Sequence, residues 1–338
     1  MSTSHLARLE RLGKQINELE CRHVFGSVLA ELGGKDERIV LVTADQIGTH
    51  GGRAFEKNFP RRCFNLGISE QNSIGVAAGL ALSGRIPVVL LYGFLVARCA
   101  EQIRDDLCYP GLNAKIVTTS SGLAMGPGGV THHCTEDLAI LRSFAGLTIV
   151  QPGSRLEAAL AAEEVVGRME GPAYLRLYRG FYPDTVEEAL AAYYKKAGCF
   201  QAGRALTLRR GGDVCLVASG LTLAPTLEAA AELDRGGIQA RVLNMHTIKP
   251  LDVEAVTTAA AETRGIVVIE DHNRLGGLGE AVAALTAEFC PCPVLRVGVK
   301  DCFSAVGPME SLWERQGITT SEIVRQAKAI AKGEIHAC

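Results

Sequence analysis

The sequence predicts an α/β protein built from two consecutive doubly wound domains, each on a mainly parallel sheet. Its 338 residues exceed the usual size of a single hydrophobic core. Hydrophobic residues make up 47% of the chain and charged residues 21%, which is enough apolar material for two cores. In both halves, short β-branched runs alternate with helical stretches, as in sheets covered by helices on both faces.

The first half opens with leucines and an isoleucine at helical spacing, which predict an amphipathic helix over residues 1–20. A domain over residues 21–185 follows. Its predicted strands are RIVLVTA (38–44), PVVLLY (87–92), AKIVTT (114–119), LTIV (147–150) and AYLRL (173–177). Helices are predicted between them at 70–83, 96–107, 135–143 and 154–168.

Residues 182–204 lose this alternation, so we interpret them as the connection and place a linker at 186–205. The second domain, residues 206–338, repeats the architecture without a repeat in sequence. Its predicted strands are 213–218, 239–244, 265–270 and 293–297, and its predicted helices are 222–234, 252–263, 278–289 and 320–331.

Composition argues against several classes of protein. The 35 Lys and Arg residues nearly balance 37 Asp and Glu residues, which disfavours nucleic acid or an anionic membrane as the main partner. The 11 cysteines are odd in number and contain no CxxC pair, as expected for reduced cytoplasmic thiols. The first residues lack the apolar core of a signal peptide, and the longest uncharged stretch is too polar to span a bilayer. We therefore expect a soluble cytoplasmic protein.

A glycine-rich turn, Gly276-Gly277-Leu278-Gly279, lies between a predicted strand and a helix. This arrangement is typical of dinucleotide sites, but the third small residue of the pattern is missing and the strand is the third of its domain. A simple turn is the favoured interpretation. A non-catalytic, nucleotide-binding α/β protein remains an alternative.

Glu70 begins a predicted helix that is rich in glycine and alanine. Acidic residues often occupy helix starts because of the helix dipole alone. The small residues around it instead suggest close packing on the carboxyl group, and a buried carboxyl group can stay protonated and donate a hydrogen bond.

The loop SSGLAMGPGGVTHHCT, residues 120–135, follows a predicted parallel strand and carries His132 and His133. Ligands bind at the carboxyl ends of such strands, so an imidazole here could contact one. Tyr92 and Phe94 end a neighbouring strand at the same rim. A solvated loop and two core aromatics are the alternatives.

Together these segments carry a family resemblance. Residues 67–123, beginning GISEQN, and residues 128–142, GGVTHHCTEDLAILR, resemble the pyrimidine-binding domain of transketolases. MHTIKPLD (245–252) and IEDHNRLGGLGEAVA (269–283) resemble the transketolase C-terminal domain.

The resemblance implies an enzyme that depends on thiamine diphosphate. In this family a protonated glutamate promotes the cofactor tautomer that removes the thiazolium proton, and Glu70 matches it. Phe94 matches the ring that stacks under the pyrimidine, and Asp45 matches an aspartate that lines the cofactor site.

The resemblance also implies substrate contacts. His132 matches a histidine that contacts the reacting sugar, and His133 occupies the next position, usually Gln. Arg22 and Arg179 match arginines that bind a sugar phosphate, a role suited to the guanidinium group. For both arginines, an ordinary surface or ion-pair role is the alternative.

Full transketolases carry an additional preceding domain whose Gly-Asp-Gly motif binds Mg²⁺ and the diphosphate. This sequence has a single Gly-Asp step, Gly212-Asp213, in its other half. We therefore expect no metal ligand in this chain, a separate partner subunit that supplies the diphosphate and Mg²⁺ site, and an α2β2 heterotetramer.

The implied reaction transfers a two-carbon ketol unit from a ketose or its phosphate to an aldehyde. The family loop often reads Gly-Glu-Asp-Gly, but residues 126–129 are Gly-Pro-Gly-Gly, so a carboxylate that contacts sugar hydroxyls is absent and a specialised substrate is expected. The alternative function is that of the β subunit of the first component of a 2-oxoacid dehydrogenase, which shares both domains.

Overall fold

The structure is a computed structural model that describes residues 18–334 of the chain. Residues 1–17, which carry most of the predicted N-terminal helix, lie outside the described residues. Within the described part there are twelve strands: β1 (Ile39–Thr43), β2 (Cys63–Asn65), β3 (Ile86–Tyr92), β4 (Lys115–Thr119), β5 (Thr148–Val150), β6 (Ala173–Arg176), β7 (Leu206–Arg209), β8 (Val214–Ala218), β9 (Ala240–Asn244), β10 (Thr247–Lys249), β11 (Ile266–Asn273) and β12 (Val294–Val299).

Helices surround both sheets. Between residues 18 and 334 the α-helices are α1 (Cys21–Lys35), α2 (Arg53–Asn58), α3 (Glu70–Leu82), α4 (Ala100–Gln102), α5 (Asp137–Arg142), α6 (Arg155–Gly167), α7 (Asp184–Ala197), α8 (Leu223–Arg235), α9 (Val253–Glu262), α10 (Leu278–Phe289), α11 (Met309–Gln316) and α12 (Thr320–Lys332). The short α4 continues as a π-helix over Ile103–Cys108.

The first sheet has seven strands in the order β10-β5-β6-β4-β3-β1-β2. All neighbours from β5 to β2 pair in parallel. Strands β1, β4 and β6 are buried at every residue. That burial explains their continuous apolar character, because helices cover both faces of a parallel sheet.

The second sheet has five strands in the order β12-β11-β8-β9-β7. Only β7 runs antiparallel to its neighbour. Two mainly parallel sheets with helices around them confirm the predicted fold class.

One strand of the second half belongs to the first sheet. Strand β10 pairs antiparallel with β5, and Thr247 lies opposite Val150. Just beyond this pair, the amide of Gln151 donates to the carbonyl of His246 at 2.7 Å. Backbone pairing therefore joins the two halves. A three-residue strand is too short to show a hydrophobic period, so the sequence did not predict it.

The connection between the halves contains helix α7, whose Val186, Leu190 and Tyr194 are buried. Their four-residue spacing is helical, but the charged residues between them obscure it in the sequence.

Four adjacent strands of the first sheet place the predicted site residues at one edge. Asp45 comes shortly after β1, Phe94 after β3, Ser120 directly after β4 and Arg179 after β6. In parallel sheets the ligand site lies outside these carboxyl ends.

The ten cysteines among the described residues are free thiols. None of the helices between residues 18 and 334 combines the length and the apolar character needed to cross a membrane.

Candidate active site

Glu70 is the first residue of α3, and its side chain is buried. Its Oε2 accepts a hydrogen bond from Nη1 of Arg98 at 3.0 Å, and about half of the Arg98 side chain is exposed (53%). No other hydrogen bond from residues 18–334 reaches this carboxylate. The contact with a residue 28 positions away goes beyond a helix-dipole role. Glu70 is thus a buried carboxylate with one oxygen available to a further partner.

Asp45 lies on the same edge, with an exposed side chain and a positive φ of 79°. Asn65 holds its backbone: Oδ1 accepts from the Asp45 amide at 3.0 Å, and Nδ2 donates to the Asp45 carbonyl at 3.4 Å. The same Oδ1 accepts from the amide of Gly67 at 3.1 Å. One amide side chain therefore joins the end of β1 to the turn that precedes Glu70.

Four rings form a row along this edge: His50, Tyr92, Phe94 and His132. His50 meets Tyr92 edge-on with 4.5 Å between centroids, and Tyr92 stacks on Phe94 at 5.0 Å. Phe94 in turn lies 4.7 Å from the ring of His132. The row makes Phe94 and His132 neighbours, although they belong to different segments of the chain.

His50 is the end of the row that lies near the two predicted anion-binding arginines. Its Nδ1 is 2.8 Å from Oγ1 of Thr119. Burial, and after it the positive charges of Arg22 and Arg179, lowers the pKa of His50 to about 4. The imidazole is therefore neutral near pH 7, so it adds no further positive charge beside the two arginines and can only accept or donate hydrogen bonds.

The two arginines differ in their partners. Arg22 donates to the carbonyl of Thr49 at 2.9 Å and forms an ion pair with Glu20 at 2.6 Å. Arg179 contacts Sδ of Met125 at 3.0 Å, and no carboxylate of the described residues pairs with it. Its charge is therefore the more available of the two to an anionic ligand.

The glycine-rich loop that carries the histidines is closed at its base. Gly122 and Cys134 form an antiparallel bridge, with the Cys134 amide 2.8 Å from the Gly122 carbonyl. Cys134 also packs on Gly93, where a Cβ would lie only 2.4 Å from its Sγ. The base of the loop is thus in contact with the residue next to Phe94.

Within the loop, the ring of His132 occupies the space beside Gly128. A Cβ on Gly128 would lie 2.7 Å from Cγ of His132, so only glycine permits this ring position. His133 is buried, and burial lowers its pKa. A substrate contact by His133 stays a prediction, while its burial makes it part of the loop's packing.

The Gly-Pro-Gly-Gly segment packs against the second half of the chain. The amide of Gly307 donates to the carbonyl of Gly126 at 3.2 Å. A Cβ on Gly126 would lie 2.3 Å from the Gly307 carbonyl oxygen and 2.8 Å from Cδ1 of Leu312. Cγ2 of Val306 would be 3.0 Å from a Cβ on Gly129. The missing side chains at these positions allow the close contact between the two halves.

The second glycine cluster, residues 276–279, has an internal partner. The carboxyl group of Glu270 accepts from the amides of Leu278 at 2.7 Å and Gly279 at 3.1 Å. A Cβ on Gly277 would lie 1.9 Å from its Oε2. These amides are the groups that would bind a nucleotide phosphate. Their use by Glu270 disfavours the nucleotide-binding alternative and makes the glycines a packing requirement.

Between residues 18 and 334, no group of three or more His, Cys, Asp or Glu side chains is arranged to hold a metal ion. The pyrimidine half of a thiamine cofactor does fit this edge, because the buried Glu70 has an open oxygen and Phe94 offers a ring at the same rim.

Comparison with known proteins identifies the family. The transketolase pyrimidine-binding domain matches residues 17–185, and the transketolase C-terminal domain matches residues 203–323. This chain belongs to the transketolase family. It is a subunit of the transketolase-like transferase type, as the resemblance predicted, and the family implies dependence on thiamine diphosphate.

Relatives from split transketolases are similar over nearly the whole chain. The 6-deoxy-6-sulfo-D-fructose transketolase subunit SqwH of Clostridium sp. (strain MSTE9) is 37% identical, covering 94% of this chain and 96% of that protein. An apulose-4-phosphate transketolase subunit of Phocaeicola vulgatus is also 37% identical, covering 94% and 99%. A solved structure described as a split gene transketolase, inactive beta4 tetramer, superposes with a TM-score of 0.83 at 36% identity, covering 93% of this chain and 99% of that one. These relatives favour the transketolase subunit over the 2-oxoacid dehydrogenase subunit.

The structure brings several predicted site residues to one edge of the transketolase-type first domain, while their roles stay predictions. Sequence reasoning missed Arg98, Asn65 and His50, which contact or support Glu70, Asp45 and Tyr92. No local pattern identifies them, because each is defined only by a partner that is distant in the chain.

Proposed function

We propose that this chain binds the pyrimidine half of thiamine diphosphate in a split transketolase that moves a two-carbon ketol unit from a ketose to an aldehyde. The observation that carries the proposal is the buried Glu70 carboxylate, with one open oxygen, on the edge that also presents Phe94 and His132. When bound, thiamine diphosphate would supply a nucleophilic carbon for the chemistry at the ketose carbonyl.

In this proposal Glu70 holds a proton at the pyrimidine ring nitrogen, Phe94 supports the ring and His132 binds oxygens of the sugar. Arg98 donates to only one oxygen of the Glu70 carboxyl group, Oε2. In this proposal the other oxygen carries the proton, so Glu70 can keep its contact with Arg98 while it donates to the pyrimidine.

The partner subunit would supply the diphosphate and Mg²⁺ sites, in an α2β2 heterotetramer in the cytoplasm. Two relatives described as transketolase subunits match this chain over nearly their whole length, which supports a split site. We expect the partner subunit to pack on the outer face of α3. On that face Gln71, Gly75, Gly79 and Leu82 are exposed in this chain, and a Cβ on Gly79 would meet nothing within 4 Å. Glycines on an exposed helix face permit close approach of another chain.

The substrate would be a specialised ketose with an anionic group at its far end. Arg179, which lacks a carboxylate partner among the described residues, and Arg22 would bind that anion. The relatives' names describe a sulfonated ketose and a ketose phosphate as their substrates. The Gly-Pro-Gly-Gly segment lacks the acceptor for sugar hydroxyls that the family usually has there.

The test combines reconstitution with a variant. Mixed with its partner, Mg²⁺ and thiamine diphosphate, the chain should catalyse ketol transfer, and alone it should show no turnover. Glu70→Ala should lower kcat by roughly 10²–10⁴, the usual loss for acid–base catalysis. The control is Glu101→Ala, which removes an exposed carboxylate from α4 and should leave kcat unchanged. Near-full turnover by Glu70→Ala at saturating cofactor, or robust activity of the chain alone, would contradict the proposal.

A further inference from the structure

A buried ion cluster lies beneath the loop that carries His132. Its centre is Arg176, the last residue of β6, whose side chain is 0% exposed, and its two carboxylates are Asp137 and Asp271. Asp137 begins α5 in the first half, whereas Asp271 lies in β11 of the second half. The cluster therefore spans both halves.

The Arg176 guanidinium contacts three groups at once. Its Nε donates to Oδ2 of Asp137 at 2.7 Å, and its Nη1 donates to Oδ1 of Asp271 at 2.6 Å. Its Nη2 donates to the carbonyl of Cys134 at 3.0 Å. A fully buried cation is destabilised when one of its acceptors is removed. The direction in which Arg176 points is therefore set jointly by both carboxylates.

Cys134 connects the cluster to the site. It comes two residues after His132, and its amide closes the loop on Gly122. Its Sγ lies against Gly93, the residue before Phe94. Any shift of the Cys134 carbonyl thus moves the loop that holds His132 relative to the segment that holds Phe94.

Asp271 also touches the base of the loop directly. A Cβ on Gly122 would lie 2.5 Å from Oδ2 of Asp271, so the carboxylate fills the space below that glycine. Gln151 holds the other oxygen, with its Nε2 donating at 3.0 Å. Beside this contact, the Asn273 amide donates to the Thr135 carbonyl at 2.9 Å.

We propose that Asp271 is a positioning residue for the transferase reaction. Acting through Arg176 and Cys134, this carboxylate of the C-terminal domain sets the distance between His132 and Phe94. The inference rests on the proposed function, which assigns the substrate contact to His132. It gives the second domain a part in catalysis without a contact to the substrate.

The test compares Asp271→Asn with Glu157→Gln in the reconstituted complex. Glu157 is a matched control, because it is also fully buried and also joins the halves, accepting from Nδ2 of Asn244 at 2.9 Å. Its contacts include no residue of the loop. Both variants should lower Tm, because each weakens a buried hydrogen-bonded carboxylate.

The expected difference lies in the kinetics. Asp271→Asn should raise KM for the donor and lower kcat/KM by roughly 10- to 100-fold, since a misplacement of about 1 Å has effects of this size. Glu157→Gln should leave both constants within about twofold of the parent. In a His132→Ala background, Asp271→Asn should add less than about threefold, because the group that it positions is already gone.

Equal kinetic effects of Asp271→Asn and Glu157→Gln would overturn the proposal, as would a full additional loss in the His132→Ala background. If His132→Ala itself leaves kcat/KM unchanged, the proposed function of His132 is wrong instead. Should Asp271→Asn fail to assemble, Tyr174→Phe removes the hydroxyl that donates to Oδ2 of Asp137 at 2.7 Å. Tyr174→Phe should raise the KM for the donor, as Asp271→Asn does, and an unchanged KM would overturn the proposal.

Discussion

Gly126→Ala is the substitution that most directly tests the contact between the loop and the second half. The added Cβ would lie 2.3 Å from the carbonyl oxygen of Gly307 and 2.8 Å from Cδ1 of Leu312. Gly126 starts the 3₁₀ turn Gly126–Gly128, and its φ is not positive, so alanine meets no backbone strain of its own. The effect of the variant is therefore steric.

The size of the effect follows from these distances. A backbone carbonyl cannot turn aside as a flexible side chain can, so the loop and the Gly307 segment must separate by about 1 Å to reach ordinary contact. Overpacking of this kind costs about 1–3 kcal/mol of folding stability. Because Gly128 and His132 follow within the same loop, a displacement of about 1 Å at this position should lower kcat/KM by roughly 10- to 100-fold.

The assay measures Tm of the chain and kcat/KM of the reconstituted complex. Gly307→Ala is the control, because it lies on the opposite side of the same contact and its Cβ would meet only Cδ2 of Leu312, at 3.8 Å. It should leave kcat/KM within about twofold of the parent. If Gly126→Ala behaves like Gly307→Ala, the contact between loop and second half does not position the site.

Two further changes have outcomes that the structure decides. Gly128→Asp restores a carboxylate to the loop, but its Cβ would lie 2.7 Å from Cγ of His132. We therefore expect kcat/KM to fall by at least about tenfold for every donor in a panel, without a new substrate preference. Improved turnover of polyhydroxylated donors would contradict this steric argument. Burial raises the pKa of Glu270 from 4.5 to about 8, although the amides of Leu278 and Gly279 oppose the shift. Between pH 4.5 and about pH 8, Glu270 is protonated in the folded protein and ionised in the unfolded chain. The contribution of Glu270 to the free energy of unfolding is therefore present at low pH and is lost as pH rises through this range. Urea unfolding at about pH 5 and about pH 8 should show a smaller change in the free energy of unfolding for Glu270→Gln than for the parent. The same change in both proteins would contradict the burial argument.

Much of the fold was predictable because its central strands are buried on both faces. The cores of β1, β3, β4, β8 and β11 appear in the sequence as runs that are rich in β-branched and other apolar residues, as is typical of a covered parallel sheet. The weakly patterned elements were not predictable: β10 has three residues, and the buried face of α7 lies among charged residues. Local pattern is lost where an element is short or has only one buried stripe.

The candidate site also contains features that the sequence predicts and features that it does not. Glu70, Phe94 and His132 could be named from the sequence, because each lies in a local motif next to a predicted strand or helix. The glycines were visible too, but the reason for them was not. Gly93 accommodates Cys134, and Gly126 accommodates Gly307, which are contacts between distant segments.

The sequence by itself determined the two α/β domains, the edge at which the candidate site residues lie and the chemical groups available there. Those properties follow from local hydrophobic pattern and from motifs of a few residues. Only the tertiary structure decided which groups meet: Arg98 at Glu70, the ring row from His50 to His132, and Asp271 below the loop. Such pairs depend on how helices and strands pack across the two halves, and side-chain contacts between distant segments leave no spacing in one sequence from which to infer them.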